Sequence, residues 1–242
     1  MVNDLLIYIG SIFQDEIMWT RFRSFAIILL ALIMQSCAED DSGVYPTYRN
    51  YTIARNVTLL NTSSYQQTTN YTCGPAVIMT LMHYYGIMSS QELNSKTEMR
   101  IANEMGTTTN GTTQLDMVHW LEKNGFDVQY GSRATIDMLF DNLKHGTPTI
   151  IVWNDWSGHS MLVIGYHTVS APSDGEKDIL FIADPSTTSS ITENKEYLSG
   201  VNAYTPNQLK LNWFNAEYFY NPSHTEIGMY IVAVPKNRSA RR

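Results

Sequence analysis

The chain has 242 residues, of which 43% are apolar and 16% are charged, a composition that fits one globular domain and leaves too little sequence for two large ones. The formal net charge is −7 and no long basic run occurs, which argues against the cationic surface that a nucleic-acid backbone requires. Two cysteines exclude a disulfide-stapled scaffold and a site built from four thiolates. Each cysteine therefore needs its own explanation.

The N-terminal segment has the pattern of an export signal. Two arginines precede an apolar run from Phe25 to Met34, which is much shorter than the roughly 20 residues needed to cross a bilayer. Cys37 follows a small serine and precedes an acidic stretch, an arrangement that resembles a bacterial lipoprotein signal. We expect residues 1–37 to be this signal, with Met18 the more natural start. Lipidation of Cys37 would leave the mature protein in the bacterial cell envelope; plain secretion to the periplasm and an uncleaved anchor are the alternatives.

Helices dominate the first half of the folded part. Residues 38–56 form a polar leader, one domain spans 57–236, and residues 237–242 form a basic tail. Apolar spacing and glycine stops predict helices at Thr72–Tyr85, between Ser90 and Met105, at Thr113–Asn124 and at Thr135–His145.

Strands follow the helices. Four apolar runs rich in β-branched residues predict strands at Pro148–Trp153, Ser160–Tyr166, Ile179–Ala183 and Met229–Val234. The polar stretch Pro185–Tyr204 is interpreted as a surface loop, followed by a short helix at Pro206–Trp213. This order predicts an α+β domain in which N-terminal helices pack on a mainly antiparallel sheet.

A lone thiol, Cys73, lies at the predicted start of the first helix. Unpaired backbone N–H groups and the positive end of the helix dipole favour a thiolate there, which lowers the pKa of the thiol and allows attack near neutral pH. Gly74 would let a substrate backbone come close, and Pro75 suits the first helical turn. The alternative is a buried cysteine that acts as a small apolar residue.

A nucleophilic thiol needs a base, and six histidines compete for that role. His83 lies on the same helix as Cys73, about 15 Å along its axis, and cannot reach the thiol. His159 opens a strongly apolar strand, where a rigid sheet can hold an imidazole toward a cleft. The remaining four lie on helices or beside loops without a group that would orient them: His119, His145, His167 and His224.

The base in turn needs a carboxylate or amide that orients its ring. Asp184 ends the strand after His159, and in a hairpin the start of one strand lies beside the end of the next. Asp155 is the rival, closer in sequence. Acyl transfer also needs oxyanion donors, for which the side-chain amide of Gln67, or of the adjacent Gln66, can join the backbone N–H of the cysteine.

Three ordered motifs, Q-x5-CGPA, GHSMLVIGY and ILFIADP, resemble the papain-like bacterial cysteine peptidases typified by the bacteriocin-processing, double-glycine leader peptidases and their stand-alone relatives. The likeness covers most of residues 60–190. It implies a papain-like fold, a catalytic triad at Cys73, His159 and Asp184, and an oxyanion amide at Gln67.

The chain departs from the leader peptidases, which are fused to an ATP-driven exporter, because it has no membrane bundle and no phosphate-binding glycine loop. We expect a stand-alone exported hydrolase with a peptide or protein substrate, contacted by Gly74, Tyr71, Trp153 and Trp156. No metal-ligand spacing or dinucleotide-binding pattern occurs, so no metal and no cofactor are expected. The sequence indicates no nucleic-acid partner and no obligate protein partner; membrane attachment would come through the lipidated cysteine.

Two other functions stay open at the level of sequence. One is a catalytically inactive, peptide-binding surface lipoprotein of the same fold. The other is an acyltransferase or transglutaminase-like enzyme, in which an amine takes the acyl group from Cys73 in place of water.

Overall fold

A computed structural model describes most of the chain from Val57 to Asn237. The described ranges are 57–153, 158–168, 178–187, 190–193, 196–213 and 227–237. The predicted signal at 1–37 with Cys37, the leader at 38–56 and residues 238–242 of the tail lie outside them.

The described residues contain five α-helices: α1 Cys73–Tyr84, α2 Ser95–Met105, α3 Gln114–Lys123, α4 Ile136–Lys144 and α5 Pro206–Asn212, with a 3-10 turn at Ser90–Glu92 before α2. The helix predictions are confirmed. Four of the helices begin at a polar side chain that accepts a backbone N–H three residues on: Asn94, Thr113, Thr135 and Thr205. None of the described helices is long and apolar enough to span a bilayer.

The strands are β1 Val57–Leu59, β2 Phe126–Gly131, β3 Thr149–Trp153, β4 His159–His167, β5 Ile179–Ala183, β6 Ser190–Glu193, β7 Glu196–Ser199, β8 Val201–Tyr204 and β9 Tyr230–Pro235. Seven of them form one sheet in the order β2-β9-β3-β4-β5-β8, with β1 paired to the far end of β4, and every pairing is antiparallel. The β6 and β7 strands form a separate hairpin.

Strand β4 is the centre of the core. All nine of its residues are buried, which requires cover on both faces of the sheet. Helices α1 and α4 both pack against it. The fold is therefore the expected α+β arrangement, with N-terminal helices on an antiparallel sheet. The order of the elements brings the first residue of α1 to the first residue of β4.

Five strands were not predicted. The stretch Pro185–Tyr204 is not a loop, because β6, β7 and β8 lie within it, and β8 is an outer strand of the main sheet with Val201 buried. Strands β1 and β2 were also missed. Both are short or lack a regular alternation of buried and exposed residues, so their pairing with β4 and β9 decides their structure rather than their own apolar pattern.

Gly165 marks the close approach of β1 to β4. A Cβ at this position would lie 2.7 Å from the carbonyl oxygen of Thr58 and 2.7 Å from Cδ1 of Leu59. We expect Gly165→Ala to push the two strands apart and to lower the free energy of unfolding by about 1–3 kcal/mol. Chemical denaturation followed by circular dichroism measures the change.

Gly131→Ala is the matched control, because the nearest atom to a Cβ there is 3.4 Å away on the Tyr230 ring, an ordinary contact. We expect a change within about 0.5 kcal/mol. Equal stability of the two variants would contradict the close approach.

Candidate active site

The thiol of Cys73 lies at the N-terminus of α1 and is 8% exposed. The imidazole of His159 and the backbone N–H groups of Ser160 and Gly74 lie near its sulfur and favour the thiolate. Burial opposes ionisation of the thiol, but the hydrogen bond and charge of His159, with the two N–H groups, outweigh it. The pKa of Cys73 is therefore lowered below its ordinary value.

His159 is the first residue of β4 and links the thiol to Asp184. Its Nε2 lies 2.7 Å from Oδ1 of Asp184, which leaves Nδ1 as the ring nitrogen for the thiol. Burial disfavours the imidazolium, but the hydrogen bonds to Asp184 and Cys73 and their charges favour it. The pKa of His159 is raised to about 10. The arrangement thus favours a thiolate beside an imidazolium.

Asp184 is held by residues that sequence analysis missed. Its Oδ1 accepts hydrogen bonds from the backbone N–H and the hydroxyl of Ser186, at 2.8 and 2.9 Å, and its Oδ2 accepts from Nδ2 of Asn202 at 2.9 Å. Burial works against the carboxylate, but His159 and Ser186 keep the pKa of Asp184 below its usual value. The Asp-Pro-Ser sequence, a pattern typical of turns in which an aspartate accepts the N–H two residues on, was the available signal for Ser186.

Asn202 had no signal in the sequence, since it lies on β8 within the stretch interpreted as a loop. Its Nδ2 also donates to the hydroxyl of Tyr204, whose ring packs on that of Trp153 at 5.0 Å. These contacts connect the carboxylate of Asp184 to the outer strand of the sheet.

The two candidate glutamines occupy different places. Gln66 is exposed and its Nε2 donates to the backbone carbonyl of Asp184 at 3.0 Å. The Nε2 of Gln67 donates to the carbonyl of Thr69 at 2.6 Å, and its buried Oε1 has no hydrogen-bond partner within the described part of the chain. The backbone N–H of Gln67 donates to the carbonyl of Pro185 at 2.9 Å. Both glutamines therefore tie the loop before α1 to the turn that begins at Asp184.

The predicted substrate-contacting residues lie in different parts of the structure. Trp153 pairs with His159 across β3 and β4, so the two side chains lie on the same face of the sheet, and Trp153 is half-buried. Tyr71 is half-buried in the loop before Cys73, and Trp156 lies outside the described residues.

Gly74 has a packing role that was not foreseen. It is buried, and a Cβ there would lie 2.9 Å from the side chain of Thr112 and 3.3 Å from the sulfur of Met117. Atoms of the protein itself occupy the space where a side chain at Gly74 would lie. A substrate therefore cannot approach Gly74 from that side. Absence of a side chain at Gly74 is needed for packing of α1 against the 112–117 segment.

The other histidines that could serve as the base, and Asp155, lie on other elements of the fold or outside the described residues. His83 and His145 each use Nδ1 on a backbone carbonyl, of Met88 and Asp141, and His119 is exposed on α3. His167 ends β4, at the opposite end from His159. Asp155 and His224 lie outside the described residues. Among the described side chains, no group of three or more His, Cys, Asp or Glu is placed to hold a metal ion.

Comparison with known proteins identifies one family. The sequence model of the protein family described as the Peptidase_C39 like family matches residues 59–217, about two thirds of the chain. None of the curated proteins matches the sequence.

Solved structures similar to this one include peptidase domains of transporters. The peptidase domain of Streptococcus ComA, a bi-functional ABC transporter involved in quorum sensing, is 19% identical, with 72% of this chain and 98% of that one covered and a TM-score of 0.48. The peptidase domain of Streptococcus mutans ComA is 17% identical, with 74% and 99% covered and a TM-score of 0.42. A double glycine motif protease from an AMS/PCAT transporter, in complex with the leader peptide, is 14% identical, with 76% and 96% covered and a TM-score of 0.43.

The contact between Cys73 and His159 predicts how the thiol reacts with iodoacetamide. Only the thiolate reacts, so alkylation of the native protein should rise and level off at a lower pH than that of an ordinary thiol, while the imidazolium persists up to a pH near its pKa of about 10. In His159→Ala the stabilising partner is gone and burial remains, which raises the pKa of the thiol. We expect alkylation at pH 7 to slow by about tenfold or more.

Peptide mapping by mass spectrometry should count the label at Cys73 alone, since Cys37 is also present. His119→Ala, at an exposed position on α3, is the matched control and should leave the profile unchanged. A profile in His159→Ala identical to that of the native protein would contradict the thiolate–imidazolium pair.

Proposed function

The chain belongs to the Peptidase_C39-like family, which supports a cysteine peptidase, and on this premise we propose that it hydrolyses peptide bonds through Cys73, His159 and Asp184. The observation that carries the proposal is the buried pair of His159 and Asp184, with Nε2 2.7 Å from Oδ1, beside the thiol of Cys73, whose pKa the imidazole lowers. A merely structural cysteine has no need of a buried imidazole held by a buried aspartate. The same geometry argues against an inactive binding protein.

In the first half of the proposed reaction, the thiolate of Cys73 attacks the carbonyl carbon of the scissile bond. The carbonyl oxygen becomes an oxyanion, for which the backbone N–H of Cys73 is available because the first N–H groups of a helix have no intrahelical partner. The Nε2 of Gln67 carries a second N–H beyond the one bonded to Thr69. The C–N bond then breaks, the imidazolium of His159 gives its proton to the leaving amine, and a thioester remains.

In the second half, neutral His159 accepts a proton from water as the water oxygen attacks the thioester carbonyl. The C–S bond breaks, the carboxylic product leaves, and the thiolate and imidazolium are restored. Asp184 keeps the ring in the orientation that presents Nδ1 to the sulfur and stabilises the imidazolium. Ser186 and Asn202 hold the carboxylate in place, and the hydroxyl of Ser186 also lies 3.2 Å from Nε2 of His159.

The substrate is proposed to be a peptide segment of a protein. The transporter-linked protease similar to this chain was solved in complex with a leader peptide. Trp153, on the face of the sheet that carries His159, and Tyr71, in the loop before Cys73, are the aromatic side chains proposed to contact the peptide.

The location is proposed to be the bacterial cell envelope. The support is the sequence pattern around Cys37: an arginine-flanked apolar run, a small serine and an acidic stretch after the cysteine. The acyl chains would hold the protein on a membrane and leave residues 57–236 free of it.

Lipidation is tested by expressing the full chain in bacteria fed an alkyne-bearing fatty acid. We expect label in the native protein and none in Cys37→Ser, with Cys73→Ser as the control that keeps the label. Equal labelling of the native and Cys37→Ser proteins would contradict lipidation at this cysteine.

Peptide hydrolysis is tested by mass spectrometry of products from a peptide library. Native protein should yield cleaved peptides with new carboxyl ends, and Cys73→Ala should yield none, because the nucleophile is lost. His159→Ala should lower the rate by about 10²–10⁴-fold. Addition of an amine in place of water across the same bonds would identify an acyltransferase, and absence of any product would contradict the peptidase.

A further inference from the structure

We propose that Glu98 is a positioning residue that holds the amide of Gln67 in place for the oxyanion, an inference that rests on the proposed peptidase function. Glu98 lies on α2 and is 0% exposed. Within the described part of the chain, no Lys, Arg or His makes an ion pair with it. A carboxylate buried without a cation is costly unless hydrogen bonds satisfy its oxygens.

Among the described residues, all of the hydrogen bonds to the carboxylate of Glu98 come from the segment 65–72, which carries Gln67. Tyr65 donates its hydroxyl to Oε2 at 2.9 Å. Thr68 donates its backbone N–H to Oε1 at 3.0 Å and its hydroxyl to Oε2 at 2.7 Å. Thr72 donates its hydroxyl to Oε1 at 2.5 Å. Four donors fill the acceptor sites of one carboxylate, and they flank Gln67 on both sides.

Two neighbouring residues, Tyr65 and Thr72, show the effect of the Glu98 carboxylate. The pKa of Tyr65 is raised by burial, by its hydrogen bond to Glu98 and by the negative charge there. Thr72 is the residue before Cys73 and occupies the N-cap position of α1, yet its side chain makes no capping bond and its hydroxyl goes to Glu98 instead. The hydroxyl of Thr72 therefore joins the start of α1 to α2 through this carboxylate.

The opposite side of the loop is bound to the aspartate turn, through the hydrogen bond from the backbone of Gln67 to Pro185. The loop is thus held between α2 and the 184–185 turn. The thiol and the imidazole, in contrast, are carried by α1 and β4, which pack directly on each other. Loss of the Glu98 contacts should therefore displace Gln67 much more than Cys73, because α1 stays packed on β4 even where Thr72 is released.

Glu98→Gln tests the proposal, because it preserves the size of the side chain but puts an N–H₂ group where donors from the loop point. Using the full chain and the library peptide that native protein cleaves fastest, we expect kcat to fall by about ten- to a hundredfold with a much smaller change in KM. The rate of Cys73 alkylation at pH 7 should stay unchanged, since it needs the thiolate and no oxyanion donor.

A double-mutant cycle separates positioning from general destabilisation. Gln67→Ala should lower kcat by about 10²-fold, and Glu98→Gln should add little to it, because both remove the same interaction. Glu122→Gln, an exposed carboxylate on α3, is the control and should behave as native protein. If the losses of kcat multiply in the double variant, or if Glu98→Gln keeps the native kcat, the proposal is overturned.

Two further measurements keep the test decisive. If Glu98→Gln does not fold, Thr68→Ala, on the exposed loop, removes one donor without loss of core packing and should lower kcat a few-fold, again only when Gln67 is present. Hydrogen exchange of residues 65–72 needs no substrate and should rise in either variant, with no rise at 158–168. Unchanged exchange overturns the anchoring by Glu98, whereas an absence of turnover in native protein overturns the peptidase function itself.

Discussion

The contact between Cys73 and His159 joins two elements that the chain order separates, the N-terminus of a buried helix and the first residue of a buried strand. Both groups are nearly inaccessible, and burial by itself would keep the thiol and the imidazole neutral. Mutual attraction, together with Asp184 and the backbone N–H groups near the sulfur, reverses that tendency. The site therefore depends on α1 and β4 meeting at a defined position, which the packing of α1 against the central strand provides.

Three short segments surround this pair and are bonded to one another. The loop before α1 is tied to the Asp184 turn through Gln66 and Gln67, and Asp184 is tied to β8 through Asn202. Glu98, on α2, accepts hydrogen bonds from the loop before α1 and so ties that loop to α2 as well. Two buried carboxylates thus serve different neighbours, one the imidazole and the other a loop of hydroxyl and N–H donors. Each is satisfied by hydrogen bonds, as buried charges must be.

The family and the geometry support the same chemistry from separate directions. The match to the Peptidase_C39-like family rests on sequence over residues 59–217, whereas the contacts among thiol, imidazole and carboxylate rest on where the elements lie. The solved structures similar to this chain include peptidase domains of transporters.

Local patterns in the sequence determined the helices, the four apolar strands and the placement of a lone thiol at a helix start, because these follow from periodicity, caps and glycine stops within a few residues. The ordered motifs also singled out His159, Asp184 and Gln67. Strands β1, β2 and β8, the support of Asp184 by Asn202, the packing role of Gly74 and the contacts of Glu98 were decided by the tertiary structure alone. Each of these depends on which distant segment becomes a neighbour in the sheet or across the core, and no short stretch of sequence contains that information.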